Sequence, residues 1–344
     1  MRLTYRKCCG IGLFFICISF AVLVITYIRV HETYAEYEKP DSEKFVSLAY
    51  SQGRTGNQMF RLLSGYGIAR RLGRKFSILI DVNRCSTQVR DFFLQTARLF
   101  PLLAENVVIR RPNSSVTAEE HQAWTRFPNP TFSLISSEIE HTVVPLAMTI
   151  DGKADAWKYE DPIKYRGHPA KYLVVNSIVA QNARYFTDYL PEIRKMFKFS
   201  ISMHAMDEIV ESFSMEASDF MCVHIRRTDF IKFQWETHFG PTLSAARSLA
   251  KRHRLSRYLI FGDDRKFMKR LADRLSTQTE AAIFSTQNIY EDFYLSSRLC
   301  RAFLISSGVS TSGWTLAFFT QNQSAVYYMT EAIRQIPDLR EHFL

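Results

Sequence analysis

Met221-Cys-Val-His-Ile-Arg-Arg-Thr-Asp229 joins an apolar run directly to two adjacent guanidiniums. Met221, Cys222, Val223 and Ile225 read as a buried strand, and Arg226 and Arg227 fall where the chain leaves the sheet. A paired cation is costly inside a core, whereas at a strand end it faces a crevice. Arginine presents a rigid fork of donors that matches phosphate oxygens, so this pair points to a nucleotide or sugar-nucleotide diphosphate. Taken alone, Arg-Arg beside Asp229 is also what an ordinary surface ion pair looks like.

Downstream the pattern repeats. Arg257 to Phe261, Ala281 to Phe284, Ala302 to Ser306 and Ala325 to Met329 read as strands. Between them, helices are expected from Leu243 to Arg252, up to Leu275, from Tyr290 to Leu299 and from Trp314 to Thr320. Strands alternating with helices at this spacing predict a parallel, doubly wound α/β sheet, whose ligands collect at the carboxyl ends of the strands. Three segments fall at such ends: Arg226 to Asp229, Gly262-Asp-Asp264, and Ser306 to Trp314. The last is rich in hydroxyls and opens a helix, so its backbone N–H groups with Ser310 and Thr311 can hold a phosphate, or serve as plain helix capping. Asp263 and Asp264 can accept from a base or ribose, bind a divalent ion, or cap the next helix; two carboxylates without a third ligand are weak evidence for metal.

Upstream, Phe45 to Tyr50 reads as a strand, Ser51 to Asn57 as a glycine-containing turn, Met59, Leu63, Tyr66 and Ala69 as one helix face, and Phe76 to Ile80 as the next strand. At the helix N-terminus Gly53, Gly56 and Asn57 can approach a phosphate or sugar; the glycines also suit a tight turn. From Arg110 to Asp161 prolines interrupt every pattern, and loops with short helical or extended pieces are expected.

The N-terminus carries a different signal. Residues 9–28 hold no charge, about the length of a membrane-crossing helix. Arg2, Arg6 and Lys7 precede them and Glu32, Glu36 and Glu38 follow, which places residues 1–8 in the cytosol and the rest in a lumen. The apolar stretch exceeds the core of a typical signal peptide and lacks a small-x-small cleavage site, so an uncleaved anchor is expected. Residues 29–44 then form a polar stem.

The remaining composition narrows the function classes. With 344 residues, 47% of them apolar, the chain can build two sizeable cores. Its net charge is +10, and +7 once the cytosolic Arg2, Arg6 and Lys7 are set aside, which favours anionic ligands. A lumenal body meets no nucleic acid, and no RNA-binding motif is present. Six cysteines exclude a disulfide-built scaffold; of the three beyond the anchor, Cys85, Cys222 and Cys300, the core position of Cys222 makes it the one expected to be free. Asn113 and Asn322 head glycosylation sequons.

Gly53-Arg-Thr-Gly-Asn-Gln-Met59, His224-Ile-Arg-Arg-Thr-Asp229 and Ser310-Thr-Ser-Gly-Trp314, in that order, resemble the three motifs of the Golgi α1,2-fucosyltransferase family. The resemblance covers nearly the whole lumenal body. It implies a GT-B type fold of two Rossmann-like domains, an acceptor-side domain at 45–205 and a GDP-fucose-binding domain at 206–344, behind a single transmembrane helix. It also implies a type II Golgi enzyme that moves fucose with inversion from GDP-fucose to a terminal galactose of a glycan, with no required cofactor or metal.

Carried over by residue, Arg226 neutralises the diphosphate as its bond to fucose breaks, and Arg227 and Asp229 position the donor or the arginines. His224 and Asp263 or Asp264 face the nucleoside. Ser312 stands where the family has Phe, and Thr315 where a second aromatic often follows, so contacts there differ. Asp229, Glu236 and His238 are all chemically able to serve as base. Two other readings stay open: a fucosyltransferase of another linkage, α1,6 or protein O-linked, and a non-catalytic Golgi sugar-binding relative.

Overall fold

The computed structural model describes residues 43–49, 53–79, 87–106, 108–110, 142–149, 155–177, 180–200, 206–213 and 219–330. The expected anchor at 9–28, Cys85 and Asn113 lie outside them. Among the described residues no helix is long and apolar enough to cross a membrane.

Residues 44–344 form one compact unit containing two five-stranded, fully parallel sheets. In the first, β1 (Phe45–Leu48) is flanked by β2 (Lys75–Leu79) and β3 (Val108–Arg110) on one side and by β5 (Tyr172–Asn176) and the edge strand β4 (Thr142–Pro145) on the other. In the second, β6 (Phe220–Ile225) is central, with β7 (Arg257–Gly262) and β8 (Ala281–Phe284) on one side and β9 (Cys300–Ile305) and β10 (Val326–Tyr328) on the other. All six residues of β6 are buried, as expected of the middle strand of a sheet covered on both faces. Its order, 8-7-6-9-10, reverses direction at β6, so the switch-point crevice opens at Ile225.

Helices α1 (Thr55–Leu72), α2 (Thr87–Leu99), α3 (Pro101–Asn106), α4 (Leu190–Met196) and α5 (Asp207–Phe213) accompany the first sheet and the crossing to the second. The second sheet is covered by α6 (Phe239–His253), α7 (Arg265–Leu275), α8 (Ile289–Leu299) and α9 (Thr311–Phe319). Local chemistry sets several boundaries. Asp264 accepts from Phe267 N at the start of α7, whose buried Phe267, Met268, Leu271, Ala272 and Leu275 lie at helical spacing. Asn288 and Glu291 close a reciprocal capping box on α8.

β3, β4, β5 and α2 went unread in the sequence. Strands of three or four residues such as β3 and β4 carry too few side chains to display a period, and β4 ends at Pro145 on a sheet edge.

The two sheets share a core. Phe319 of α9 stacks on Phe100 at 5.6 Å between ring centroids and meets Phe199 at 5.2 Å and Phe293 at 5.1 Å, while Phe318 meets Phe197 at 5.8 Å. Each such aromatic pair adds about 0.5–1.5 kcal/mol beyond its area burial, so the two halves are fixed to each other by packing as well as by the chain.

Cys222 is not free: it is bonded to Cys300, with Cα atoms 5.5 Å apart. The expectation failed because it weighed burial alone. β6 and β9 are 78 residues apart in sequence yet adjacent in the sheet, a neighbour relation that follows from the crossover and is invisible locally.

One buried carboxyl weakens the fold at neutral pH. Asp292, at the start of α8, accepts a hydrogen bond from Ser285 Oγ, and burial pushes its pKa up to about 7, the Ser285 bond opposing the shift. Between the ordinary carboxyl value and 7 the folded state binds the extra proton, so stability falls as pH rises through that window. Asp292→Asn is expected to be more stable than the parent at pH 8 by at least about 1 kcal/mol, with the advantage vanishing near pH 4; thermal unfolding at the two pH values measures it.

Candidate functional site

Three strand ends converge on the guanidiniums of Arg226 and Arg227. β6 delivers both arginines, β7 ends at Gly262 and delivers Asp263 and Asp264, and β9 runs into Ser306 and Ser307. The Arg226 side chain is 9% exposed and lies between two carboxylates, Asp229 at 2.7 Å and Asp263 at 3.0 Å. Its guanidinium carbon also sits 4.9 Å from the Phe230 ring centre. Arg227 reaches Asp264 at 3.1 Å, donates to Thr237 O at 2.7 Å and stacks over Phe267 at 4.5 Å. Asp263 further accepts from Arg227 N and from Thr228 Oγ1. Both arginines are therefore held in fixed orientations before any ligand arrives.

A third arginine joins from the other sheet. Arg54, in the loop between β1 and α1, meets Asp229 at 2.5 Å, so Asp229 bridges guanidiniums from both halves. The cluster holds as many carboxylates as arginines, and an incoming diphosphate adds charge to a balanced set. Arg54 is half exposed, and its pairing contributes little to stability of itself.

The backbone around Arg226 is pinned by a relay of hydroxyls. Arg226 N donates to Thr237 Oγ1 at 2.9 Å, and Thr237 Oγ1 lies 2.6 Å from Ser306 Oγ. Ser306 Oγ in turn donates to His224 O, which leaves Thr237 as the donor to Ser306. Thr237 N donates back to Arg226 O, closing the segment between them into a loop.

His224 is enclosed, and its Nδ1 has no hydrogen-bond partner. Burial lowers its pKa to about 4, with the charge of Asp263 opposing the shift. The imidazole is therefore neutral at any working pH and competes with no arginine for an anion. A Cβ on Gly313 would lie 2.7 Å from that Nδ1, so the first turn of α9 passes the histidine only because residue 313 has no side chain.

The other expected site residues divide. Ser310 caps α9, accepting from Gly313 N, and is itself buried. Thr311 donates to Asn57 Oδ1 at 2.8 Å, and Gln181 Nε2 donates to the same oxygen at 2.9 Å. Asn57 thus ties α1 to α9 across the two halves. Gly53 accepts from Gln58 Nε2 through its carbonyl. At Gly56 a Cβ would stand 2.6 Å from Ser312 N and 2.7 Å from Thr311 C. Because backbone cannot rotate away, Gly56→Ala is expected to force α1 and α9 apart, costing about 1–3 kcal/mol of stability, read as a lowered Tm.

Of the three base candidates, Asp229 spends its oxygens on Arg226 and Arg54, His238 is exposed ahead of α6, and Glu236 has one carboxylate oxygen buried without a hydrogen-bond partner. Arg54, Thr237, Ser306 and Gln181 were missed in the sequence. Arg54 was within reach, since it stands inside the Gly53 to Met59 turn; the other three reveal themselves only through long-range pairing. Asn322 is exposed, its Oδ1 accepting from Ser324 Oγ at 2.6 Å. Among the described residues no three His, Cys, Asp or Glu side chains are grouped to hold a metal ion.

No family model matches the chain. Two curated proteins of Caenorhabditis elegans named galactoside 2-alpha-L-fucosyltransferase are similar to it. One is 30% identical over 178 residues, 49% of this chain and 49% of that relative; the other is 21% identical over 336 residues, 88% of this chain and 75% of that relative. The first match thus spans about half the length of the relative. Among solved structures, POFUT1 in complex with GDP and POFUT1 in complex with GDP-fucose each superpose with a TM-score of 0.51 at 12% identity. They cover 84% and 85% of this chain and 98% and 99% of theirs. The chain is therefore similar in sequence to galactoside 2-alpha-L-fucosyltransferases and shares its α/β fold with a protein solved with GDP-fucose bound.

Proposed function

We propose that the protein is an inverting, metal-independent glycosyltransferase that moves fucose from GDP-fucose to O2 of a terminal galactose. The observation that carries this reading is Arg226, pinned between Asp229 and Asp263 at the carboxyl end of β6. In the reaction the acceptor oxygen bonds to fucose C1 as the bond from C1 to the β-phosphate oxygen breaks. The hydroxyl proton passes to a base, and GDP departs with the bonding pair. Negative charge grows on the leaving diphosphate, and a preoriented guanidinium supplies the stabilisation where it develops. Arg227 and Asp229 hold the fork in place, His224 offers a neutral ring, and Ser310 and Thr311 lie at the α9 N-terminus, whose backbone favours anions.

The likeness to two galactoside 2-alpha-L-fucosyltransferases supports fucosyl transfer and the α1,2 linkage. A lumenal body on a Golgi type II anchor is supported by the uncharged stretch at 9–28 and by the Cys222–Cys300 bond, which persists in an oxidising compartment.

The test is to supply GDP-fucose with a panel of β-galactosides, with and without chelator, and to determine the linkage of the product. Transfer to O2, undiminished by chelator, is expected. Fucose at another position would replace the linkage, and GDP binding without GDP release from GDP-fucose over the whole panel would leave a sugar-binding protein.

A further inference from the structure

A cavity of about 460 Å³ lies away from the arginine cluster, walled by Phe60 and Leu63 of α1, Leu190 and Arg194 of α4, Phe318 of α9 and Tyr328 of β10. Its walls come from both sheets' helices. Protein interiors hold few voids larger than a water molecule, so a space of this size lined by apolar side chains calls for an occupant.

The polar part of the wall says what kind. Arg194 stacks over Phe318 at 4.6 Å and donates to Phe318 O at 3.0 Å, yet among the described residues no carboxylate pairs with it. Burial alone lowers its pKa. An arginine in an apolar setting without a counter-charge favours an occupant that is apolar with carboxylates beside the apolar groups.

We propose that the occupant is this chain's own residues 331–344, Glu-Ala-Ile-Arg-Gln-Ile-Pro-Asp-Leu-Arg-Glu-His-Phe-Leu, docked in the cavity. Ile333, Ile336, Leu339 and Phe343 recur every three or four residues, and Glu331, Asp338 and Glu341 lie among them. The described chain ends at Thr330, two residues beyond Tyr328, whose ring lines the cavity. Ile336 follows Tyr328 by eight residues, a reach of up to about 26 Å. Docking there bridges α1 and α4 on one side to α9 and β10 on the other, so the tail staples the two halves opposite the Asn57–Thr311 tie.

Hydrogen–deuterium exchange on the full chain tests this. In the parent protein, amides of residues 336–344 are expected to exchange at least about 10²-fold slower than an unstructured peptide. Leu339→Asp and, separately, Arg194→Glu are expected to raise exchange in the tail and in α4 and α9 together, with Tm lower by about 5 °C; Gln335→Ser is expected to change neither. Unprotected tail amides in the parent overturn the proposal without any variant. Exchange in α4 and α9 unaltered by Leu339→Asp also overturns it and assigns the cavity to another occupant, such as a small anionic amphiphile.

Discussion

Arg226→Ala is expected to lower kcat/KM for fucosyl transfer by at least about 10²-fold, the cost of removing one preorganised donor from developing charge. The geometry argues for the upper end. Arg226 is the most enclosed of the three guanidiniums, with a 9% exposed side chain against 23% for Arg227 and 53% for Arg54, so water cannot replace it easily. Its removal also leaves Asp229 and Asp263 without their shared counter-charge, and both would then face the diphosphate as anions. Arg226→Lys is expected to recover little, because an ammonium cannot span both carboxylates and phosphate oxygens with a planar fork. Steady-state kinetics with GDP-fucose measures the loss, and a Tm within a few degrees of the parent separates it from unfolding. Turnover near the parent's in a folded Arg226→Ala protein would remove the basis of the proposed reaction.

Arg54→Ala offers a graded comparison. Arg54 touches the cluster only through Asp229, from an exposed position, so its loss is expected to be milder than that of Arg226. The two substitutions together distinguish a gripping role from a positioning one.

Much of this arrangement was legible in the sequence for one reason: the second sheet is built from continuous apolar strands separated by helices with sharp ends. β6, β7, β8, β9 and β10 all lie at or within a residue or two of the segments read from apolar runs. The convergence of Arg226, Asp263 and Ser306 follows from the rule that ligands gather at carboxyl ends. What escaped were partnerships. Asp263 and Asp264 were legible as strand-end carboxylates with several uses, while their engagement with Arg226 and Arg227 depends on how β6 and β7 lie side by side. Asn57 was placed near a ligand by its position in a turn; its actual bonds to Gln181 and Thr311 span 124 and 254 residues. Local pattern reports which face is buried, and only the assembled sheets report what is on the other side of it.

The same distinction gives the Cys222–Cys300 bond its weight. Replacing both cysteines with Ala is expected to cost about 4 kcal/mol. In the chain-entropy account, a bridge closing a loop of 78 residues withdraws about that much freedom from the unfolded chain. The bonded residues are also fully enclosed in the middle of the second sheet, where smaller side chains leave space that surrounding strands fill only in part. For a body of this size the loss corresponds to a Tm lower by roughly 10 °C. Because Cys222 stands four residues before Arg226 on the same strand, loosening β6 against β9 also disturbs the Ser306 to His224 contact, so activity should fall at temperatures well below the new Tm. Thermal unfolding and activity of the double variant, compared with the parent kept oxidised and with the parent reduced under mild denaturant, separate the effects. Agreement between the reduced parent and the double variant assigns the loss to the bridge. An unchanged Tm in both would show that the two thiols are not joined in the folded protein, and with that the argument from this bond for an oxidising compartment would fall.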